Sequence, residues 1–369
     1  MSLVRHPGNL KASRVMKFAF PCLLLLLATL PLAGQGVSTE PVGFNKVTCL
    51  ANSDTIVGVP LRIQGSLNTK LSAAPSATTG NSTLTLAHNS LPTLTKHYLK
   101  FNSGAADGRW YDITANTADS VTINLNGDIL PAAVSGDSVL IAEYWTLNTL
   151  FPPSLATTEP STTGHAIIAS SALNRKTELL LPNLTGVGTN LAPNQTYYIL
   201  NANPKVWKKF SDNSRPDFGD TILYPDTYFV VRHNRGVSQP TVYRSLGEVE
   251  TANFTIFLST RTDGRQDNYI AIPRPLPVKL SELGLDTLAF KNSTALKTQD
   301  ELLVFDNESA VRNKAPSATY FILSTGWRKF GDGSTNHDNS TIPAGAGFLI
   351  RKVPSIDGAS VPWKNTAPY

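Results

Sequence analysis

The chain has little cysteine, little charge and only one long apolar run. Cysteine occurs twice among 369 residues, at Cys22 and Cys49, and Cys22 lies within the N-terminal apolar run. If that run is removed on export, Cys49 is left alone, so neither an intramolecular disulfide nor a cysteine-based zinc site can form. We predict that Cys49 is a buried, inert thiol, because free cysteine buries readily. A reactive thiol or an intermolecular bridge is the alternative.

The apolar run, residues 18–32, predicts a secretory signal peptide over residues 1–36. Four basic residues and no acidic residue precede it, and small residues follow it. A positive flank, a short apolar core and small residues are typical of a cleaved leader, and the run is shorter than the roughly 20 residues that span a bilayer. Either Met1 or Met16 could be the start. We expect an exported protein of the periplasm, cell surface or exterior, with no transmembrane segment after leader removal.

The charge balance excludes nucleic acid as an expected partner. The chain has 32 Lys and Arg against 27 Asp and Glu, and removal of the leader leaves 28 against 27, a net charge of +1. Proteins that bind nucleic acid need clustered basic surface to neutralise phosphates. Polysaccharide or other envelope proteins are the partners that remain.

One passage of the sequence occurs twice. Glu178 and Glu301 lie 123 positions apart in matching contexts, and the offset between the tryptophans of the two copies is 120. Nearly constant offsets indicate duplication, and duplicated units commonly bury one another's apolar faces. We name this passage unit b and place its copies at 177–232 and 300–351.

A shorter passage, unit a, precedes each copy of unit b and gives the order a-b-a-b. It surrounds Asp54 in the first copy and Asp267 in the second. The spacing from unit a to unit b is 124 residues in the first copy and 34 in the second, so the first copy has about 90 extra residues. We assign them to an inserted β module at 66–160 with polar, linker-like flanks. The duplicated core is then 37–65 and 161–369.

Short alternating and β-branched runs predict an all-β fold with little helix. In each unit b, two such runs flank a short turn, which is a hairpin signal, and a third run follows a polar loop. We predict a three-stranded meander, which is too small to be stable alone. The two copies should therefore build antiparallel sandwich- or barrel-like domains, in which they either face each other or complete one sandwich.

Several short sequence segments along the mature chain resemble, in combination, those of one protein family. They are residues 42–45, 47–50, 53–55, 301–307 and 348–352, with a Trp-Arg-Lys segment at 327–329. In this combination the chain resembles an uncharacterised family of secreted proteins from verrucomicrobial bacteria. The resemblance covers essentially the whole mature chain and implies an exported bacterial protein without an agreed active site.

Each unit-b hairpin places a tryptophan and a lysine on the same face of a strand. The pairs are Trp207 with Lys209 and Trp327 with Lys329, because residues two apart share a face. Exposed indoles could hold the apolar faces of sugar rings, which would make these pairs a carbohydrate-binding site. We favour the alternative that both indoles are core residues, since tryptophan is mostly buried.

The loop after the second tryptophan alternates oxygen-bearing side chains. Asp332, Ser334, Asn336 and Asp338 have a spacing that could surround Ca²⁺. The first copy keeps only the first two of these positions, and neither loop ends in a glutamate that could bind Ca²⁺ through two oxygens. A turn with Asx hydrogen bonds is therefore the favoured interpretation.

No convergent catalytic set is visible. The Gly-Asp-Ser at 136–138 resembles an esterase nucleophile motif, but here a strand follows the serine where that motif needs a helix. Asp107, Asp112 and Glu143 are the nearest candidates for a carboxylate pair, and nothing singles them out. We expect a non-catalytic exported β protein with a structural or interaction role. A carbohydrate-binding module is the first alternative, and a hydrolase with unrecognised residues is the second.

Overall fold

Antiparallel strands make up nearly all the regular structure. The computed structural model describes residues 40–76, 79–212, 214, 216–294 and 296–367, so the predicted leader lies outside the described residues. In this part of the chain the α-helix α1 (Leu147–Leu150) has a single turn, and no helix could cross a membrane. The strands are β1 (Val42–Cys49), β2 (Asp54–Val57), β3 (Leu67–Lys70), β4 (Asn81–Thr85), β5 (His97–Phe101), β6 (Trp110–Asn116), β7 (Ser120–Asn124), β8 (Ser138–Glu143), β9 (Trp145–Thr146), β10 (Thr177–Leu181), β11 (Gln195–Leu200), β12 (Val206–Lys209), β13 (Ile222–Leu223), β14 (Phe229–His233), β15 (Thr241–Glu248), β16 (Phe254–Leu258), β17 (Gln266–Ala271), β18 (Val278–Lys279), β19 (Glu301–Val304), β20 (Ala318–Leu323), β21 (Gly326–Lys329), β22 (Thr341–Ile342), β23 (Gly347–Lys352) and β24 (Val361–Asn365).

The duplication predicted from the sequence produces two halves with the same strand pairing. The first half comprises β1, β2 and β9–β15, and the second comprises β16–β24. Their five-stranded sheets have the orders β12-β11-β10-β14-β2 and β21-β20-β19-β23-β17. Each half adds a two-stranded ribbon, β1 with β15 or β16 with β24, and a short pair, β9 with β13 or β18 with β22. The predicted all-β fold is confirmed, and the repeat extends to these ribbons.

The predicted three-stranded meander is wrong in one respect. Strand β14 pairs with β10, on the far side of the sheet from β12, and β23 pairs with β19 in the same way. The outer edge of β12 is already occupied by the loop that follows it. The backbone N–H of Trp207 donates to Asp217 at 3.1 Å, and its carbonyl accepts from the N–H of Phe218 at 3.0 Å. The chain therefore has to cross the sheet before its next strand finds a free edge.

The inserted module forms a six-stranded sheet of its own. Its order is β3-β8-β5-β6-β7-β4, and it lies within the predicted 66–160. Alternate residues such as Leu99 and Phe101 face a separate apolar core, which Val121 and Ile123 also enter. Strand β9 and helix α1 follow this sheet but belong to the first half, because Leu147 and Leu150 pack into its core.

The two five-stranded sheets face each other across a small apolar layer, and a buried ion pair marks one end of it. Arg232 donates to both carboxylate oxygens of Asp54 at 2.7 Å. A loop of the second half caps this pair, because the backbone N–H of Asn313 donates to Asp54 at 2.7 Å and its side-chain oxygen accepts from Arg232 at 2.5 Å. The second half thus completes the hydrogen bonding of a carboxylate in the first.

The same arrangement recurs at the other end, with the halves exchanged. Arg351 donates to the two oxygens of Asp267 at 2.7 and 3.1 Å. The N–H of Asn190, in the first half, donates to Asp267 at 2.7 Å, and its side chain accepts from Arg351 at 2.9 Å. Both asparagines have φ near +55°, the left-handed region that Asn tolerates better than most residues. The halves are therefore related by an approximate two-fold axis.

Buried polar contacts fasten the inserted sheet to the second half and to the segment that joins the two halves. The ammonium group of Lys100 donates to Glu250 at 2.9 Å and to the carbonyl of Asn253 at 3.1 Å, and both charged side chains are buried. The indole N–H of Trp110 donates to the carbonyl of Thr255 at 3.0 Å. Removal of one partner from such a buried charge pair is strongly destabilising, so the position of the inserted sheet is well fixed.

Candidate functional site

The tryptophans proposed for sugar binding are core residues. Trp207 is 0% exposed and Trp327 is 5% exposed. The Trp207 indole donates to the carbonyl of Phe151 at 3.2 Å, and the ring of Trp327 packs on Phe290 with centroids 5.3 Å apart. The carbohydrate site built on these indoles is therefore wrong. Lys209 and Lys329 of the same strands are partly exposed.

The oxygen-rich loop of the second half is held by its own hydrogen bonds. Asp338 accepts from the backbone N–H of Trp327 at 2.8 Å and from the side chain of Asn336 at 3.0 Å, and the first of these contacts lowers the pKa of Asp338 below its ordinary value. Ser334 donates to Asp332 at 3.5 Å. No cluster of three or more His, Cys, Asp or Glu side chains suited to a metal occurs among the described residues. The turn with Asx hydrogen bonds stays the favoured prediction for this loop, and Ca²⁺ binding stays the alternative.

A hydrolase would need a histidine beside a serine, and the environments of His337 and His165 bear on this alternative. His337 contacts Ser340 at 3.1 Å and Asp332 at 3.4 Å, but all three lie in one loop, outside the large cavities described below. His165 packs on the ring of Phe151 and accepts from the N–H of Ile167 at 3.1 Å. Neither arrangement presents a serine and a histidine to a substrate-sized cleft.

A large concave feature lies where the inserted sheet meets both halves. Three adjoining cavities, with volumes of about 640, 890 and 180 Å³, all include Leu184 and Thr227 in their walls. We call them together the junction cleft. Trp110 and Asp112 of the inserted sheet form one wall, and Phe257 of the second half forms another. Clefts of several hundred Å³ with mixed apolar and polar walls are the usual form of small-ligand sites.

Three carboxylates line the first cavity, each in a different environment. Asp128 pairs with Arg109 and accepts from the hydroxyl of Tyr111 at 2.6 Å. Asp112 accepts from the hydroxyl of Tyr144 at 2.6 Å. Asp226 accepts only from a threonine hydroxyl, at 3.0 Å, among the side chains described. Burial, with a smaller contribution from the charge of Asp112, raises the pKa of Asp226 to about 6.

A rigid aromatic cluster supports this wall. The ring of Trp110 contacts Tyr98, Tyr144, Tyr224 and Phe254 with centroid distances between 5.6 and 6.5 Å. Burial and the neighbouring carboxylates raise the pKa of Tyr224, and no hydrogen bond of its hydroxyl is described. The cleft therefore offers a neutral phenol and a weakly acidic carboxyl beside apolar ring surface, a combination that can bind a ligand carrying both apolar area and hydrogen-bonding groups.

The sequence reasoning identified one residue of this cleft and missed the rest. Asp112 was one of three unranked carboxylates; of the other two, Asp107 pairs with Lys364 at 2.9 Å and Glu143 lines a different cavity. Asp128 follows a turn, and Asp226 lies in an ordinary turn as well. No local pattern marks either, because the cleft is assembled from segments that are distant in the chain, from Arg109 to Ser360.

Comparison with protein-family models, with curated proteins and with solved structures finds no match for this chain. The resemblance to a verrucomicrobial secreted family therefore stays a prediction.

Proposed function

We propose that this is an exported, non-catalytic binding protein of the cell envelope or exterior, with its ligand in the junction cleft. The observation that carries the proposal is the cleft itself, in which Tyr224 and Asp226 line the same cavity as Trp110. Polar groups in a partly apolar cleft usually have partners, so these two are suited to a ligand. The predicted leader supports the extracytoplasmic location.

The partners most consistent with this cleft are fragments of envelope polysaccharide or of envelope proteins. Hydroxyl and amide groups would bond to Tyr224 and Asp226, and apolar surface would pack on Trp110. The buried tryptophans of the hairpins take no part in this proposal.

The test is ¹⁹F NMR on protein labelled with 5-fluorotryptophan. The chain has five tryptophans, and Trp110→Phe assigns the resonance that reports on the cleft. Soluble envelope oligosaccharides and short cell-wall peptides serve as probes. We expect at least one probe to shift the Trp110 resonance while Trp207 and Trp363, which are buried elsewhere, stay unchanged.

A matched pair of variants locates the binding. Tyr224→Phe removes the cleft hydroxyl and should weaken the probe about tenfold, the effect of one good hydrogen bond. Tyr320→Phe makes the same chemical change at a residue outside the cleft walls and should bind as the wild type does. If no probe moves the Trp110 resonance, or if both variants bind equally, the proposal is wrong.

A second candidate function, hydrolysis of a glycosidic bond, is favoured by one observation. A pKa of about 6 would let Asp226 act as a general acid near neutral pH, with Asp112 as the second carboxylate. Asp226→Asn should then abolish cleavage of an oligosaccharide probe and leave its binding intact. Wild-type protein that binds the probe and leaves it uncleaved would contradict this candidate and keep the first.

A further inference from the structure

The outer edge of β2 is closed by the second half at three alternate residues. Asp54 and Gly58 each donate a backbone N–H to a loop carbonyl at 3.0 Å. Between them, Ile56 is bonded twice to the side-chain amide of Asn307. Its N–H donates to the amide oxygen at 2.9 Å, and its carbonyl accepts from the amide nitrogen at 2.9 Å. A single carboxamide thus completes this edge.

The equivalent edge of β17 lacks the middle contact. Asp267 and Ala271 donate to loop carbonyls at 3.0 and 2.8 Å, as their counterparts do. Hydrogen-bonding direction alternates from one residue to the next along an antiparallel strand. Tyr269 lies two residues from both Asp267 and Ala271, so its N–H and carbonyl also point away from β23. Neither group has a hydrogen-bond partner among the residues that the structure describes.

The missing partner is explained by one difference between the halves. Asn307 and Leu184 lie 123 positions apart, the offset that relates their loops, so leucine occupies the place of the carboxamide. Leu184 is 52% exposed and cannot bond to the edge of β17. The same loop is held in place by the backbone N–H of Asn190, which donates to Asp267. Leucine in place of asparagine therefore leaves the edge of β17 unpaired without changing the fold.

The unpaired edge opens into the junction cleft. The cavity of about 180 Å³ is lined by Tyr269, Leu184 and Asp226. One water takes up about 30 Å³ of the liquid, so this space admits a group of several heavy atoms. The 640 Å³ cavity also includes Leu184 and Asp226 in its walls, so a ligand bound there can extend a group toward Tyr269.

We infer that the edge of β17 at Tyr269 is a subsite for a carboxamide group of the ligand, in the role that Asn307 plays at Ile56. The inference rests on the proposed function of the junction cleft. A primary amide supplies an acceptor and a donor side by side, which fits one N–H and one carbonyl of the same residue. Added β-strand pairing is excluded, because the flanking groups at Asp267 and Ala271 are already bonded.

The first experiment supplies the carboxamide from the chain itself. Leu184→Asn places the isosteric amide where Asn307 stands in the other half. Selective ¹⁵N-tyrosine labelling limits the spectrum to the eleven tyrosine amides, among which Tyr269→Phe identifies that of Tyr269. We expect that amide to exchange with solvent more slowly in the variant than in the wild type. Leu184→Asp, which can accept from Tyr269 and cannot donate to it, is the matched control and should protect less. Unchanged exchange in Leu184→Asn would overturn the inference.

The second experiment supplies the group in solution. Butyramide should shift the Tyr269 amide resonance of the wild type, and 2-pentanone, which has no N–H donor, should bind about tenfold more weakly. Leu184→Asn should lose the response because its own amide fills the subsite. Equal effects of the amide and the ketone would overturn the inference.

The two proposals fail in different ways. If an envelope probe moves the Trp110 resonance and butyramide leaves Tyr269 unchanged, the carboxamide subsite is wrong and the binding function stands. If butyramide shifts Tyr269 and no envelope probe reaches Trp110, the subsite stands and the proposed function is wrong.

Discussion

Replacement of Asp300 by asparagine should destabilise the second half more than any single hydrogen-bond deletion in the same layer of the first. Asp300 is 0% exposed and Lys352 is 4% exposed, and their side chains form a direct ion pair. The carboxylate also accepts the backbone N–H groups of Lys291 and Val353 at 2.7 and 2.8 Å. Asp300→Asn would leave the buried ammonium group without its counter-charge, which costs about 3–5 kcal/mol.

The first half supplies an internal control, because a neutral network occupies the same place. Thr177 and His233 are the counterparts of Asp300 and Lys352, and the threonine hydroxyl lies 2.9 Å from the imidazole. The other imidazole nitrogen lies 2.8 Å from the hydroxyl of Thr241. Thr177→Val removes one neutral hydrogen bond and should cost about 1–3 kcal/mol.

Equilibrium unfolding in urea measures both changes, provided that the slope of the transition stays constant between variants. The double variant Asp300→Asn/Lys352→Met, which removes both charges, should recover most of the loss, since a buried pair is often replaceable by apolar residues. A cost below about 1 kcal/mol for Asp300→Asn, or no recovery in the double variant, would refute the assignment of a buried, mutually dependent ion pair.

Three further predictions concern pH, thiol reactivity and metal. Burial lowers the pKa of His233 to about 4, so the unfolded chain binds more protons than the folded chain between pH 6.5 and 4. The free energy of unfolding should therefore fall by up to about 3 kcal/mol as the pH drops through this range. Burial lowers the pKa of His165 as well, and thermal melts of His233→Gln should show a shallower fall with pH than those of the wild type. Burial raises the pKa of the Cys49 thiol to about 11. Ellman's reagent at pH 8 should therefore react with the protein lacking residues 1–36 only after unfolding, and stoichiometric reaction of the native protein would contradict this. Because Asp332 and Asp338 already accept hydrogen bonds within their loop, EDTA or millimolar Ca²⁺ should leave the melting temperature unchanged, whereas an increase of several degrees with Ca²⁺ would indicate a bound ion.

The architecture was largely predictable because duplication and strand periodicity are properties of the sequence itself. Matching offsets place Trp207 and Trp327 at equal positions in equal sheets, and the structure has each of them opposite an isoleucine of the neighbouring strand. The order of strands was harder to predict. That β14 pairs with β10 depends on the loop that covers the edge of β12 through Asp217, and sequence patterns do not show which strand edges are free.

The cleft was not predictable by the same means. Its carboxylates at Asp112, Asp128 and Asp226 come from two different modules, and each lies at a turn or in a strand of ordinary composition. Their environments, such as the burial that raises the pKa of Asp226, exist only after the modules have packed. The role of Leu184 can be recognised only after the two halves are aligned and its counterpart, Asn307, is known to bond to a strand edge.

A comparison of the two halves separates the residues that hold this fold together from those available for binding. The asparagine caps at Asn190 and Asn313 are the same in both halves, as expected if each half needs the other to complete a buried ion pair. The pair Asn307 and Leu184 differs, and it differs beside the junction cleft. A duplicated protein can lose a contact in one copy while the other copy still forms it. The unpaired edge of β17 therefore lowers stability only by the hydrogen bonds that this edge lacks. Leu184 is therefore a position where a ligand can supply a contact that the other half makes with its own Asn307.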